Sequence, residues 1–198
     1  MPLRNRVTPF GDIVATSSRG TLMGNRGVLH NDRAEIVRDS QVRRWITCRL
    51  EFRGRQREVM PPGQYTALFF LDEATAFAAG HRPCAECRNT DYRRFRAAWP
   101  GRERSVNEID TRLHAERRAG AWRKRTHTAE LGSLPDGAFI ALDGEAWLVH
   151  GPALRRWTPA GYDARRPREE ASVSVLTPPS LVTLFRNGYT PELHPSAG

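Results

Sequence analysis

Apolar and polar positions alternate through residues 43–60, where Ile46, Cys48, Leu50 and Phe52 interleave with Trp45, Thr47, Arg49 and Glu51. A period of two predicts a strand with one covered face. Phe52-Arg53-Gly54-Arg55 carries a turn signal, Gln56 to Met60 reads as the return strand, and Pro61-Pro62-Gly63 stops it. A hairpin is therefore expected here. Shorter apolar runs predict strands over 12–16 and 66–71. From Asn89 to Trp99 the period becomes helical: Tyr92, Phe95 and Trp99 share a face, with Arg93, Arg94 and Arg96 mostly elsewhere. That stripe reads as core rather than as a platform for stacking bases. Pro100-Gly101 ends the helix. Ser105-Val106-Asn107-Glu108 is a capping box that opens a second one, with Ile109 and Leu113 inward, fading near Gly120.

The last third is richer in strand signals. Phe139 to Leu142, the Asp143-Gly144 turn and Glu145 to His150 predict a hairpin. Leu154 to Trp157 and Ser172 to Leu176 read as further strands joined by a loop bearing Pro and Arg. Pro178-Pro179-Ser180 starts a short helix with Leu181, Leu184 and Phe185 inward, closed by Asn187-Gly188. Gly20, Gly24 and Gly27 mark a loop whose spacing fits neither a Walker-type phosphate loop nor a dinucleotide fingerprint. No internal repeat and no low-complexity tract occurs.

Charge adds a second pattern. The net charge is +9, almost all of the cations are Arg, and Lys124 is the only Lys. By block, residues 1–58 carry +6, residues 59–92 carry −2, residues 93–125 carry +7 and residues 126–198 carry −2. Two basic blocks thus flank a slightly acidic one, an electrostatic footprint suited to phosphate. The expected partner is nucleic acid, DNA or RNA, met by Arg82, Arg88, Arg93, Arg94 and Arg96. No apolar run approaches the 18 residues of a membrane span, and Met1 to Arg6 has no apolar leader. Three cysteines make a disulfide framework a poor explanation. A reducing cytoplasm and a metal fit better.

The candidate metal chemistry centres on Cys84-Ala85-Glu86-Cys87, because two thiolates two residues apart can hold one face of a tetrahedral Zn²⁺. Cys48 is a candidate third ligand from its strand, with a core thiol as the competing reading. Asp110 and His114 form a separate constellation. They lie i, i+4 on one helix face, as a general base or as an ordinary surface pair. His127 and His150 have no sequence partner. Pro83-Cys84-Ala85-Glu86-Cys87 matches half of a zinc-deaminase signature, but no His-x-Glu precedes it.

The longer run from Phe69 to Arg88 resembles the metal-binding module of Ada-type DNA repair proteins. Phe69 and Phe70 match that family's apolar strand. Asp72 is a plausible cap of its Ala-rich helix (Ala74, Ala76, Ala78, Ala79). Gly80, Arg82, Pro83, Cys84, Cys87 and Arg88 match its closing knuckle, and His81 takes the place of a packing aromatic. The resemblance covers about residues 69–88 only, and the family's alkyl-acceptor motif does not occur. It implies a zinc module near nucleic acid, with earlier ligands from a loop upstream, which makes His30 a candidate beside Cys48. The zinc itself is expected to be structural, closed and four-coordinate.

The fold expected is α+β. A zinc-knuckle module with basic flanks spans 1–128, and a small β-rich module with a C-terminal helix, 129–198, packs on it. The function expected is a cytoplasmic zinc-binding protein of nucleic-acid metabolism. A hydrolase or nuclease using Asp110 and His114, and a protein-interaction module, stand as alternatives.

Overall fold

The computed structural model describes residues 1–54 and 58–198. The first half contains β1 (Arg4–Val7), β2 (Ile13–Ala15), β3 (Leu22–Asn25), β4 (Ile46–Cys48), β5 (Leu68–Phe70), α1 (Glu73–Ala78), β6 (Arg82–Pro83), α2 (Asn89–Ala98) and α3 (Val106–Arg117). A small ribbon, β7 (Arg118–Gly120) with β8 (Arg123–Lys124), leads to β9 (His127–Glu130). The rest comprises β10 (Phe139–Leu142), β11 (Glu145–His150), β12 (Ala153–Thr158), β13 (Gly161–Pro167), β14 (Ser172–Val175) and α4 (Pro179–Arg186). The class is α+β, as expected.

Among the described residues two six-stranded sheets form. The first is ordered β2-β1-β5-β3-β4-β6, mixed, with β1–β5 and β4–β6 parallel. The second, β13-β12-β11-β10-β14-β9, is antiparallel throughout.

The expected hairpin over 43–60 does not form as drawn. Its return strand begins inside residues 55–57, outside the described residues, and Glu58 to Met60 are not in a strand. Instead β4 pairs antiparallel with β3 and parallel with β6. A central strand is covered on both faces, so Trp45 and Thr47 are buried along with Cys48, and Leu50, past the strand end, is exposed. Period two was the right backbone signal read onto the wrong partner. Half of the Gly20–Gly27 stretch, Leu22–Asn25, is likewise strand β3 rather than loop. Gly24 sits in β3 where a Cβ would lie 2.2 Å from the Ile46 carbonyl oxygen, so close approach of β4 requires it. The Pro- and Arg-bearing connection after β12 is itself strand β13, and β9 also lacked a clear apolar alternation.

Helix α1 is short and wholly buried, because it lies between the halves. Leu71, Ala74 and Ala78 pack with Phe139, Leu148 and Leu176. Phe77 joins Phe95, Ile109, Leu181 and Leu184, with the Phe185 ring 5.4 Å away edge-on. The division at 128/129 thus runs through shared cores.

Two buried carboxylates start that helix. Asp72 is its N-cap: Oδ1 accepts from Thr75 N at 2.8 Å and Thr75 Oγ1 at 2.7 Å. Its Oδ2 accepts from Tyr162 Oη at 2.7 Å and His194 N at 3.0 Å. Glu73 accepts from Tyr189 Oη and Glu192 N. The C-terminal tail and β13 are thereby latched onto the start of α1. Gly80, at φ 88°, turns the chain out of the helix in the left-handed region that glycine enters freely. Tyr162→Phe removes one charge-assisted hydrogen bond and should lower unfolding stability by about 1.5–3 kcal/mol. An unchanged denaturant midpoint would argue that β13 is held to α1 by packing alone.

Candidate metal centre

The parallel β4–β6 pairing brings the three cysteines together. Ile46 faces Arg82 and Thr47 faces Pro83 in register, and Cys84 N donates to Thr47 O at 2.9 Å. One step further along each strand places Cys48 beside Cys84. The chain then turns, Arg88 N donating to Cys84 O at 3.2 Å, and Cys87 arrives at the start of α2. The three Sγ atoms lie within 4.8 Å of one another. Thiolates on a tetrahedral zinc at about 2.3 Å stand roughly 3.8 Å apart, so this spacing suits a metal. Cys48 and Cys87 are buried and Cys84 is half-buried; none forms a disulfide.

The thiols are electrostatically unequal. A hydrogen bond from Cys48 and the backbone N–H groups of Cys87 and Glu86 hold Cys84 down to about 5, against the cost of burial. The same Cys84 contact, with burial, pushes Cys48 up, and burial pushes Cys87 up. A thiolate at Cys84 is the donor that these contacts favour, and a cation held by the three sulfurs would favour the thiolate form of the other two as well.

The group contains no His, Asp or Glu among the described residues, and residues 55–57 are Arg, Gln and Arg. The expected His30 ligand lies elsewhere. It is buried, with Nδ1 at 2.6 Å from Thr66 Oγ1 and Nε2 at 3.2 Å from Pro61 O, a satisfied core histidine. His81 packs on Phe70 and Trp45, with ring centroids 4.6 and 5.1 Å away.

The arginines of the knuckle turn inward. Arg82 makes a two-pronged bond to Asp110, Nε–Oδ1 2.7 Å and Nη2–Oδ2 2.8 Å, both residues being buried. Arg88 reaches three elements: Glu73 Oε1 at 2.5 Å, Asp91 Oδ2 at 3.0 Å and Thr47 Oγ1 at 2.9 Å. It thereby braces α1, α2 and β4 around Cys87. Neither faces a solvent-borne phosphate, because each buried guanidinium is matched by a carboxylate already in place. Arg93 and Arg94 are exposed on α2. Arg94 stands 3.7 Å from Asp91, and Arg96, half-buried, donates to Arg104 O.

Asp110 and His114 do not form a catalytic pair. Both Asp110 oxygens accept from Arg82, whereas His114 Nδ1 lies 3.4 Å from Arg117 Nη2. Burial and the cations of Arg117, Arg118 and Arg43 push the His114 imidazole below its ordinary range. The i, i+4 spacing could not reveal that a strand 28 residues earlier supplies the carboxylate's partner.

Comparison with protein-family models, with curated proteins and with solved structures finds no match to this chain. No helix among the described residues is long and apolar enough to cross a membrane.

Proposed function

We propose that this is a zinc-binding protein of nucleic-acid metabolism, with Cys48, Cys84 and Cys87 holding one Zn²⁺. The observation that carries the metal reading is the convergence of three sulfurs from a strand, a turn and a helix start. Their soft, anionic donor set favours zinc over the oxygen-seeking Mg²⁺ or Ca²⁺. The resemblance of residues 69–88 to the Ada-type module supports the same ion. Cys48, Cys84 and Cys87 would supply three donors and leave a fourth to water or a small ligand, in place of the closed protein-only site expected. The ion's role is to tie β4 and the knuckle to the start of α2, the chemistry of a structural zinc. Elemental analysis of the purified chain should return about one zinc per molecule; a metal-free preparation with the same melting curve would refute it.

The nucleic-acid part of the reading rests on the net charge of +9 and on the exposed Arg93 and Arg94. Arg93→Ala with Arg94→Ala should weaken binding alike for all sequences. It should also shallow the dependence of log K on log salt by about 2, one unit per lost phosphate contact. Retention on a nucleic-acid column that is unchanged in the double variant would mean that these arginines are only solvated.

A further inference from the structure

We propose that the cavity framed by Arg26, Arg117 and Lys124 binds a phosphate group. This goes beyond the metal and α2 readings, since none of these residues belongs to either. Arg26 follows β3, Arg117 ends α3 and Lys124 lies in β8, so three separate elements deliver cations to one place. Arg26 and Arg117 are 1% and 2% exposed. Their guanidinium carbons sit 4.0 and 3.8 Å from the centroid of the buried Trp45 ring.

The partners already present are neutral. Arg26 donates to Gly11 O and to His81 Nε2, Arg117 to Gly80 O and Arg43 O, and Lys124 Nζ to Ala78 O. Arg26 Nη2 and Arg117 Nε are buried with no partner among the described residues. The carboxylates on the wall do not balance this charge. Asp39 pairs with Arg118 at 2.9 Å, which leaves Asp12 alone against Arg26, Arg117 and Lys124, with the exposed Arg123 also on the wall. Burial and the two neighbouring arginines hold the Lys124 ammonium down to about 7, the mark of a cation placed without its counter-charge. Cation–π contact offsets part of the desolvation of two arginines but supplies no anion.

Charge and size select the ligand. A phosphate monoester carries close to two negative charges near neutral pH, which suits three cations with one carboxylate better than a monoanion does. The cavity offers about 30 Å³, the space of one or two waters, so only oxygen atoms of the anion enter it and no organic group follows them. Anything attached to that phosphate stays at the mouth, where Trp122 is 49% exposed with Arg4 5.9 Å from its ring. Free phosphate and the terminal phosphate of a larger molecule share this chemistry.

The test uses the full, metal-loaded chain in buffer free of phosphate and sulfate. Inorganic phosphate at about 100 times its Kd should raise the melting temperature by roughly 5–10 °C over chloride of equal ionic strength. Lys124→Met should lose most of that rise while melting no lower than the wild type without phosphate, because it deletes a cation lacking a counter-ion. Calorimetric titration of the wild type, expected to show one site per chain, reads the same binding independently of any variant. Tighter binding of a nucleoside 5′-monophosphate than of inorganic phosphate would support a terminal phosphate with its base at Trp122. Equal or weaker binding would support free phosphate. A wild type that responds to phosphate no more than to chloride, or a Lys124→Met protein that keeps the full rise, would overturn the proposal.

Discussion

Cys87→Ser is expected to empty the metal centre and to lower the stability of the whole chain, not of the knuckle alone. The cysteine stands where β4, the turn after β6 and the start of α2 meet, beside the Arg88 brace. Metal binding by a site that does not persist in the unfolded chain is folding free energy. The two half-cores survive the loss, so the effect is smaller than for a zinc finger that unfolds outright, on the order of 5 kcal/mol, or about 10–20 °C for a chain of this size. Cys48→Ser and chelation of the wild type should produce the same drop without addition between them, since each removes the same ion. A Cys87→Ser protein that still carries zinc and melts with the wild type would show that the sulfurs are ordinary core thiols.

The second large effect is expected at Asp110. If it were a general base, its removal would spare stability and abolish turnover. The geometry predicts the opposite emphasis. Asp110→Ala leaves the Arg82 guanidinium buried without its carboxylate and should cost about 3–5 kcal/mol. Replacing both residues by leucine should cost less than Asp110→Ala alone, because no charge then remains to desolvate. His114→Ala, on the half-buried flank of α3, should stay within about 0.5–1 kcal/mol of the wild type. Denaturant midpoints of the four proteins decide it. A stable Asp110→Ala protein would restore the catalytic reading of this helix.

Much of the local structure was legible in the residues. Ser105 and Glu108 form both halves of the capping box. Asp72 caps α1, and Asp143-Gly144 turns β10 into β11 with both residues at positive φ. Ile109, Leu113, Phe95, Leu181 and Leu184 are buried where helical spacing placed them. These are signals carried by neighbours within a turn or two. The errors share a different cause. β13 and β9 hold Arg165, Arg166 and His127 in strand positions, where pairing with β12 and β14 overrides weak propensity. β4 found its partners in β3 and β6 rather than next along the chain.

At the site the same boundary holds. Cys84 and Cys87 announce themselves by spacing, since two residues of separation fix two sulfurs on one side of a turn. Cys48 was a candidate against a core-thiol reading, and it is the β4–β6 register that brings it to the other two. Arginine content and its blocks were plain in the sequence, yet which arginines meet solvent was not. Arg82 and Arg88 lie in the knuckle motif and are buried on Asp110 and Glu73, while Arg26, Arg117 and Lys124 converge from positions up to 98 residues apart. The sequence by itself determined the helix caps, the tight turns, the apolar faces and the knuckle, because each depends on side chains within a few residues of one another. The tertiary structure decided which charges are paired, which sulfur completes the trio and where unbalanced cations gather, because charge is matched through space between chain segments whose separation no local pattern encodes.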